Sequence, residues 1–203
     1  MKKIIVLASG NGTNFQAIVD AIDSGVIEDA KISKLICNNK RANVMQRARD
    51  NGILPVLIDA KSNDYNNMIS EIISGDEPDL IVLDGYMKIL PDFIINKFLY
   101  KIINIHPSLL PAFGGKGYYG RKVHEAVINS GTRFSGCTIH FVTEDMDNGP
   151  IIDQMIVTVD DYDTIETLEE KIHEKEHKSL IFSINLILKN GYEIDGKRVI
   201  RKL

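Results

Sequence analysis

The strongest constraint on the fold is an alternation, in the first half of the chain, between short apolar runs and amphipathic segments of helical length. Apolar runs rich in β-branched residues, such as KKIIVLAS and DLIVLDGY, are each followed by a segment with helical periodicity. This order is typical of βαβ units. We therefore predict an α/β fold, with a mostly parallel twisted sheet and helices on both faces. Gly25, Gly52 and Gly75 are predicted to end helices.

The second half of the chain has a different pattern. A Pro- and Gly-rich excursion, INIHPSLLPAFGGKGYYG, precedes two apolar runs, GCTIHFVTE and PIIDQMIVTV, which we expect to pair with each other. A long helix then leads to YEIDGKRVI, whose Asp195-Gly196 predicts a hairpin. Antiparallel strands are thus expected toward the C-terminal part. We predict a single domain over residues 1–203, with halves 1–100 and 101–203.

Composition excludes several classes of function. The formal net charge of -4 argues against nucleic-acid binding, which normally needs a basic face. Cys37 and Cys137 have no CxxC neighbour, which favours a reducing, cytoplasmic setting over a disulfide framework. The apolar run at the N-terminus is too short for a signal peptide or a membrane span, so we expect no membrane association.

A glycine turn, SGNGTNFQ, opens the first helix directly after the first strand. Gly10 and Gly12 permit a tight turn, and a helix N-terminus is suited to phosphate. The dinucleotide fingerprint fails, because Phe15 occupies its third glycine position and the second strand ends in CNNK without an acid. This disfavours an NAD-dependent oxidoreductase and favours one phosphate held by Gly12, Thr13 and Asn14. The alternative is a turn in which Thr13 or Asn14 caps the helix without a ligand.

Asn104 and His106 interrupt an apolar run, and their spacing places both side chains on one face of a strand. Pro107 stops that strand, so the pair lies at its carboxyl end, where open parallel sheets bind ligands. His140 on a later strand and Asp147 in the loop after it complete a set suited to acyl transfer. No serine or cysteine stands out as an acyl carrier, which favours direct attack by a substrate nucleophile. A structural polar pair and a turn-forming Asp147 are the alternatives.

The segment HEKEH, residues 173–177, matches the H-E-x-x-H pattern of zinc peptidases. The surrounding lysines Lys171, Lys175 and Lys178 are instead typical of a solvated helix face. We therefore predict no metal site.

Taken together, SGNGTN, DGYMKIL, NIHPSLLPAF, TIHFVTEDMDNGPII and the late KEH resemble the glycinamide ribonucleotide formyltransferases, a branch of the folate-dependent formyltransferase family. The similarity runs from about residue 2 to about residue 200. It implies a formyltransferase, Rossmann-like domain with a phosphate-binding first half and a catalytic, folate-binding second half. The implied reaction transfers a formyl group from 10-formyltetrahydrofolate, as co-substrate, to the amine of glycinamide ribonucleotide in de novo purine biosynthesis. The implied partners are these small molecules, and the implied assembly is a monomer or homodimer.

The resemblance also assigns site residues. It makes Asn104, His106 and Asp147 catalytic with His140 in support, and it places the ribonucleotide on Gly12, Thr13, Asn14 and Glu176. It places the folate on Met87, Lys88, Ile89, Leu90, Asn104, Thr143, Glu144, Asp145, Met146 and Asp147.

Two features depart from the family pattern. The excursion reads FGGKGYYGRKVH, where many members have a proline after the phenylalanine and a shorter link, so the lid formed by Phe113–Tyr119 is expected to differ. Many members also carry an arginine early in the helix after the third strand, where this chain offers only Lys61 before Tyr65.

Three other functions compete with this one. Methionyl-tRNA formyltransferase normally adds a C-terminal RNA-binding domain, and formyltetrahydrofolate hydrolase normally adds an N-terminal regulatory domain. We expect neither, because the sequence starts at its first core strand and ends at a short hairpin. A catalytically silent nucleotide-binding module would use only the glycine turn.

Overall fold

The computed structural model describes residues 1–202 and divides into two compact units. The first unit is Met1–Ile103, and the second begins at Asn104. This boundary lies close to residue 100, where the sequence pattern changes. The organisation of residues 1–203 as one domain stays a prediction.

The helices and strands follow the predicted order. The strands are β1 (Lys2–Ala8), β2 (Ala30–Cys37), β3 (Pro55–Leu57), β4 (Leu80–Asp84), β5 (Ile102–His106), β6 (Phe134–Phe141), β7 (Ile151–Thr158), β8 (Tyr192–Asp195) and β9 (Arg198–Arg201). The helices are α1 (Thr13–Asp23), α2 (Val44–Asp50), α3 (Tyr65–Asp76), α4 (Asp92–Lys97), α5 (Arg121–Ser130) and α6 (Ile165–Leu188).

In the first unit, parallel strands pair in the order β3-β2-β1-β4. The central strand β1 is completely buried from Ile4 to Ala8, and Leu80–Val82 of β4 is equally buried beside it. Phe15 and Ile18 of α1 are also fully buried. Each of the large apolar side chains among them contributes about 1.5–3 kcal/mol by leaving water. The continuous apolar runs of these strands are therefore explained by a parallel sheet buried on both sides.

In the second unit, β6 and β7 pair antiparallel, with Cys137 opposite Met155, and β8 and β9 form the predicted hairpin. Helix α6 begins at a capping box, in which Thr164 and Thr167 exchange hydrogen bonds between side chain and backbone. Its apolar face joins α5 and the two long strands in one cluster: Val127, Cys137, Val157, Val159, Leu168 and Ile172. The predicted α/β class, mostly parallel with antiparallel strands toward the C-terminal part, is confirmed.

One of the predicted helix ends is wrong. Gly25 and Gly52 follow α1 and α2 in the left-handed conformation, as expected, but Gly75 lies inside α3. That helix ends after Asp76, and Glu77 takes the left-handed position with φ of 50°. Within residues 1–202, no helix combines the length and apolar character needed to cross a bilayer.

Candidate active site

The glycine turn of the first unit is held by the start of α2. Gly12 has a left-handed φ of 75°, and a Cβ added there would lie 2.4 Å from Cγ2 of Val44. The Val44 N–H donates to the carbonyl of Gly10 (3.3 Å), and Arg47 Nε–H donates to the carbonyl of Asn11 (2.9 Å). The turn is therefore fixed by its neighbours, and a guanidinium stands beside it. Both features suit an anion.

The N-terminus of α1 carries a contact that the sequence analysis missed. Gly12 is its N-cap and provides no side chain, so neither Thr13 nor Asn14 caps the helix. The buried carboxylate of Asp84, at the end of β4, instead accepts hydrogen bonds from Phe15 N–H (3.2 Å) and Asn14 Nδ2 (3.3 Å). An acid that ends a buried strand was a usable signal, because buried carboxylates are normally paired.

We expect Gly12→Ala to lower the free energy of unfolding by about 2–4 kcal/mol, because it combines a left-handed backbone with a collision against Val44. Gly25→Ala is the matched control, since Gly25 has φ of 74° but no atom within 4 Å of an added Cβ. This variant should lower the free energy of unfolding only through its strained backbone, by about 1–2 kcal/mol. Urea unfolding of both variants measures the difference. Equal losses would contradict the close approach to Val44.

The second unit brings Asn104 and His140 into direct contact. Asn104 Nδ2 donates to His140 Nε2 (3.2 Å), and His140 Nδ1–H donates to the carbonyl of Phe141 (2.9 Å). Burial lowers the pKa of His140, and the Phe141 carbonyl and Asp147 offset this only in part. The ring is therefore neutral at pH 7, with its proton on Nδ1. Because the ring is neutral, its 3.7 Å approach to Asp147 Oδ1 is not an ion pair.

The second unit also places His106 beside Asp147. His106 Nδ1 lies 3.7 Å from Asp147 Oδ2, which is longer than a hydrogen bond but within reach of an ion pair. The opposite ring nitrogen, Nε2–H, donates to the carbonyl of Phe113 (2.8 Å). An imidazolium satisfies both contacts, whereas a neutral ring with its proton on Nε2 would turn a lone pair toward the carboxylate. Nδ1 is thus the ring nitrogen that faces Asp147 without a direct hydrogen bond to it.

Asp147 occupies a specialised position in the loop between β6 and β7. Its φ is 52°, a left-handed value that Asp and Asn adopt more readily than most residues. Its Oδ2 accepts a hydrogen bond from Gly115 N–H of the excursion (2.8 Å). An open cleft of about 380 Å³ adjoins it, lined by Pro111, Gly114, Gly115, Asp145, Met146, Asp147 and Asn148. The contacts made by Phe113 and Gly115 were not predicted, because they are backbone contacts.

The segment after His106 is anchored by polar side chains of β6 and β7. Thr138 Oγ1 donates to the carbonyl of Ser108 (2.7 Å) and accepts from Leu110 N–H (3.0 Å). Gln154 Nε2 donates to the carbonyl of Leu110 (2.9 Å), and the Leu110-Pro111 bond is cis. These bonds satisfy backbone groups that the prolines keep out of regular structure. The chain that leaves β5 after His106 is therefore held in place by hydrogen bonds.

The predicted binding residues lie on two loops and one helix. Met87, Lys88 and Ile89 are exposed after β4, whereas Leu90 is buried. Thr143, Glu144, Asp145 and Met146 lie in the loop that carries Asp147. Glu176 is buried on α6, 3.9 Å from His173 Nε2, which also lies 4.0 Å from Glu169. Within residues 1–202, no group of three or more His, Cys, Asp or Glu side chains is arranged to hold a metal ion.

The cysteines are poor nucleophiles. Burial raises the pKa of Cys37, and burial together with Glu176 raises that of Cys137 to about 12. Both thiols are free, buried and protonated at pH 7. This agrees with a reaction in which the substrate attacks directly.

His124 of α5 gives the protein a pH-dependent stability. The side chain is buried, its Nδ1 has no hydrogen-bond partner within residues 1–202, and burial lowers its pKa to about 4, with help from His173, Arg121 and His106. In the unfolded chain its pKa is about 6.5, so the unfolded state binds more protons between pH 4 and 6.5. This contribution to stability is complete above pH 6.5 and is lost as the pH falls toward 4.

We expect His124→Gln to reduce the acid sensitivity of the unfolding free energy, by about 3 kcal/mol between pH 7 and pH 4. Urea titrations at several pH values in this range measure the slope. A variant that keeps the full slope of the parent protein would contradict the neutral, buried state of His124.

Comparisons with known proteins show the family to which the chain belongs. Residues 2–184 match the formyl transferase family. The chloroplastic phosphoribosylglycinamide formyltransferase of Vigna unguiculata is 44% identical over 182 residues, which cover 87% of this chain and 58% of the relative. The phosphoribosylglycinamide formyltransferase of Bacillus subtilis (strain 168) is 41% identical over 182 residues, which cover 88% of this chain and 90% of the relative.

A solved structure gives the same result. Glycinamide ribonucleotide transformylase 1 from Symbiobacterium toebii superposes with a TM-score of 0.92 at 35% identity, covering 99% of this chain and 94% of that one. The chain spans less than two thirds of the length of the plant relative, but 90% or more of the length of these two bacterial proteins. From the match over residues 2–184, the chain belongs to the formyl transferase family.

Proposed function

We propose that the protein transfers a formyl group from 10-formyltetrahydrofolate to the primary amine of glycinamide ribonucleotide, in de novo purine biosynthesis in the cytosol. The observation that carries this proposal is the convergence, in the second unit, of an amide, two imidazoles and a loop carboxylate: Asn104, His106, His140 and Asp147. The plant and bacterial relatives are phosphoribosylglycinamide formyltransferases, which supports the choice of acceptor.

The first step is attack of the amine nitrogen on the formyl carbon. A C–N bond forms, and the carbonyl oxygen becomes an oxyanion. Asn104 donates one of its two Nδ2 hydrogens to His140, and no residue of the described chain takes the second. That second N–H is the donor assigned to the oxyanion. Protonated His106 supplies positive charge through its Nδ1 edge, since Nε2 is engaged by Phe113.

The second step breaks the bond between the formyl carbon and N10 of the folate. The proton lost by the attacking nitrogen must reach N10, and Asp147 relays it, directly or through a water molecule. Its Oδ2 lies 3.7 Å from His106 Nδ1, so the carboxylate faces the imidazolium assigned to the first step. The products are formylglycinamide ribonucleotide and tetrahydrofolate, and the step requires no electron transfer.

Binding is assigned to other residues. The ribonucleotide phosphate is assigned to Gly12, Thr13 and Asn14, beside the Arg47 guanidinium, and the glycinamide end to Glu176. The folate is assigned to Met87–Leu90 and to the loop Thr143–Asp147.

An absorbance assay of folate deformylation tests the proposal. Purified protein is mixed with 10-formyltetrahydrofolate, with and without glycinamide ribonucleotide. Deformylated folate should accumulate only when the ribonucleotide is present. Equal rates in both reactions would identify a hydrolase. No turnover in either, together with ribonucleotide binding, would identify a silent nucleotide-binding module.

A further inference from the structure

In the first unit, a lysine lies close to the start of α3, and it is not the lysine that the sequence analysis considered for this place. Lys61, the residue considered for that place, is exposed in the turn before the helix. Its backbone N–H donates to Asp59 Oδ1 (2.9 Å). It is Lys88 that reaches α3, with Nζ 5.5 Å from the centroid of the Tyr65 ring. This distance is within the range of about 6 Å for cation–π contacts. Tyr65 is the first residue of α3.

The Tyr65 ring is held by a closed circuit of hydrogen bonds. Its hydroxyl bonds to the hydroxyl of Tyr86 and accepts from Asn38 Nδ2 (3.5 Å). Asn38 Oδ1 accepts from Ser9 Oγ (2.7 Å), and Ser9 Oγ accepts from the N–H of Met87 (3.0 Å). Because Met87 follows Tyr86 in the chain, the circuit closes. It fixes a buried ring against the segment that carries Lys88.

The charge of Lys88 is not neutralised by any carboxylate of the described residues. No carboxylate of residues 1–202 forms an ion pair with its exposed ammonium. The face of the Tyr65 ring attracts the ammonium without supplying an opposite charge, which leaves the positive charge for an external anion.

We propose that Tyr65 is a positioning residue that holds the Lys88 ammonium for a carboxylate of the co-substrate. The inference rests on the proposed function, in which Lys88 belongs to the folate-binding segment and the folate ends in a glutamate. It gives Tyr65 a role through Lys88 and leaves Lys61 without one.

A double-mutant cycle tests this role. The variants are Tyr65→Leu, which removes the ring, Lys88→Met, and the two combined. We expect KM for 10-formyltetrahydrofolate to rise about tenfold in Lys88→Met and about fivefold in Tyr65→Leu, with kcat and the ribonucleotide KM unchanged. The combined variant should be no worse than Lys88→Met alone, because Tyr65 acts through Lys88. Lys61→Met is the matched control and should leave all constants unchanged.

Two further variants separate positioning from folding. Tyr65→Phe keeps the ring and should raise the folate KM by no more than about twofold. Lys88→Arg keeps a cation that stacks on aromatic rings, and it should restore a folate KM within about twofold of the parent protein. If Tyr65→Leu does not fold, the folate KM values of these two variants still test whether Tyr65 positions Lys88.

The proposal would be overturned if the folate KM of the combined variant rose by the product of the increases seen for Tyr65→Leu and Lys88→Met. It would also be overturned if Lys88→Arg raised the folate KM as much as Lys88→Met. The proposed function fails separately, since it fails only if the parent protein shows no formyl transfer.

Discussion

The Asp147→Asn enzyme is expected to lose about two to three orders of magnitude in kcat, while its KM for glycinamide ribonucleotide changes by less than about threefold. The substitution keeps the size of the side chain, and Asn accepts the left-handed backbone, with φ of 52°, as readily as Asp does. It removes the negative charge that faces His106 Nδ1 at 3.7 Å, and with it the group that we assign to the proton relay. The loss should therefore fall on the chemical step.

Asp195→Asn is the matched control. Asp195 is an exposed carboxylate in the hairpin of the same unit, so the variant makes the same chemical change away from the imidazoles. It should retain the parent kcat. Steady-state assays over a range of both substrates give the two constants. An Asp147→Asn enzyme with near-normal kcat would remove Asp147 from the mechanism.

Asn104→Ala is expected to lower kcat by a similar factor, about two to three orders of magnitude, because it removes the donor assigned to the oxyanion. His140 is expected to act through that donor, since neutral His140 accepts the other Nδ2 hydrogen of Asn104. His140→Gln should therefore cost less, about tenfold, by loosening the amide without removing it.

The combination of these two variants distinguishes orientation from direct participation. If His140 only orients Asn104, adding His140→Gln to Asn104→Ala should cause no further loss of kcat. If the two losses multiply instead, His140 takes part in the reaction independently. The measurement is kcat at saturating concentrations of both substrates, with circular dichroism as the check on folding.

Much of the fold followed from local patterns. Alternating apolar runs and helical segments predict the parallel first unit because strands buried on both faces must be continuously apolar. The pairing of the two runs around Asp147 and the Asp195-Gly196 hairpin were predicted for equally local reasons. Gly75 misled the prediction, since α3 continues for one residue past it and stops at Glu77. A glycine permits a helix end but does not require one.

The site was less accessible to sequence reasoning. Motif spacing located the amide, the imidazoles and the carboxylate, which the second unit brings together. The Phe113 carbonyl and Gly115 N–H could not be foreseen, because every residue carries these groups and only the folded path selects them. The approach of Lys88 to Tyr65 depends on how the loop after β4 meets α3, which no local pattern encodes.

The most direct test of direct formyl transfer follows the formyl carbon itself. A single-turnover reaction is run with 10-formyltetrahydrofolate labelled with carbon-13 in the formyl group, together with glycinamide ribonucleotide, and is read by NMR. We predict that the label appears as the formamide carbon of the ribonucleotide product, at the rate at which the folate is deformylated. Label released as free formate would contradict the account.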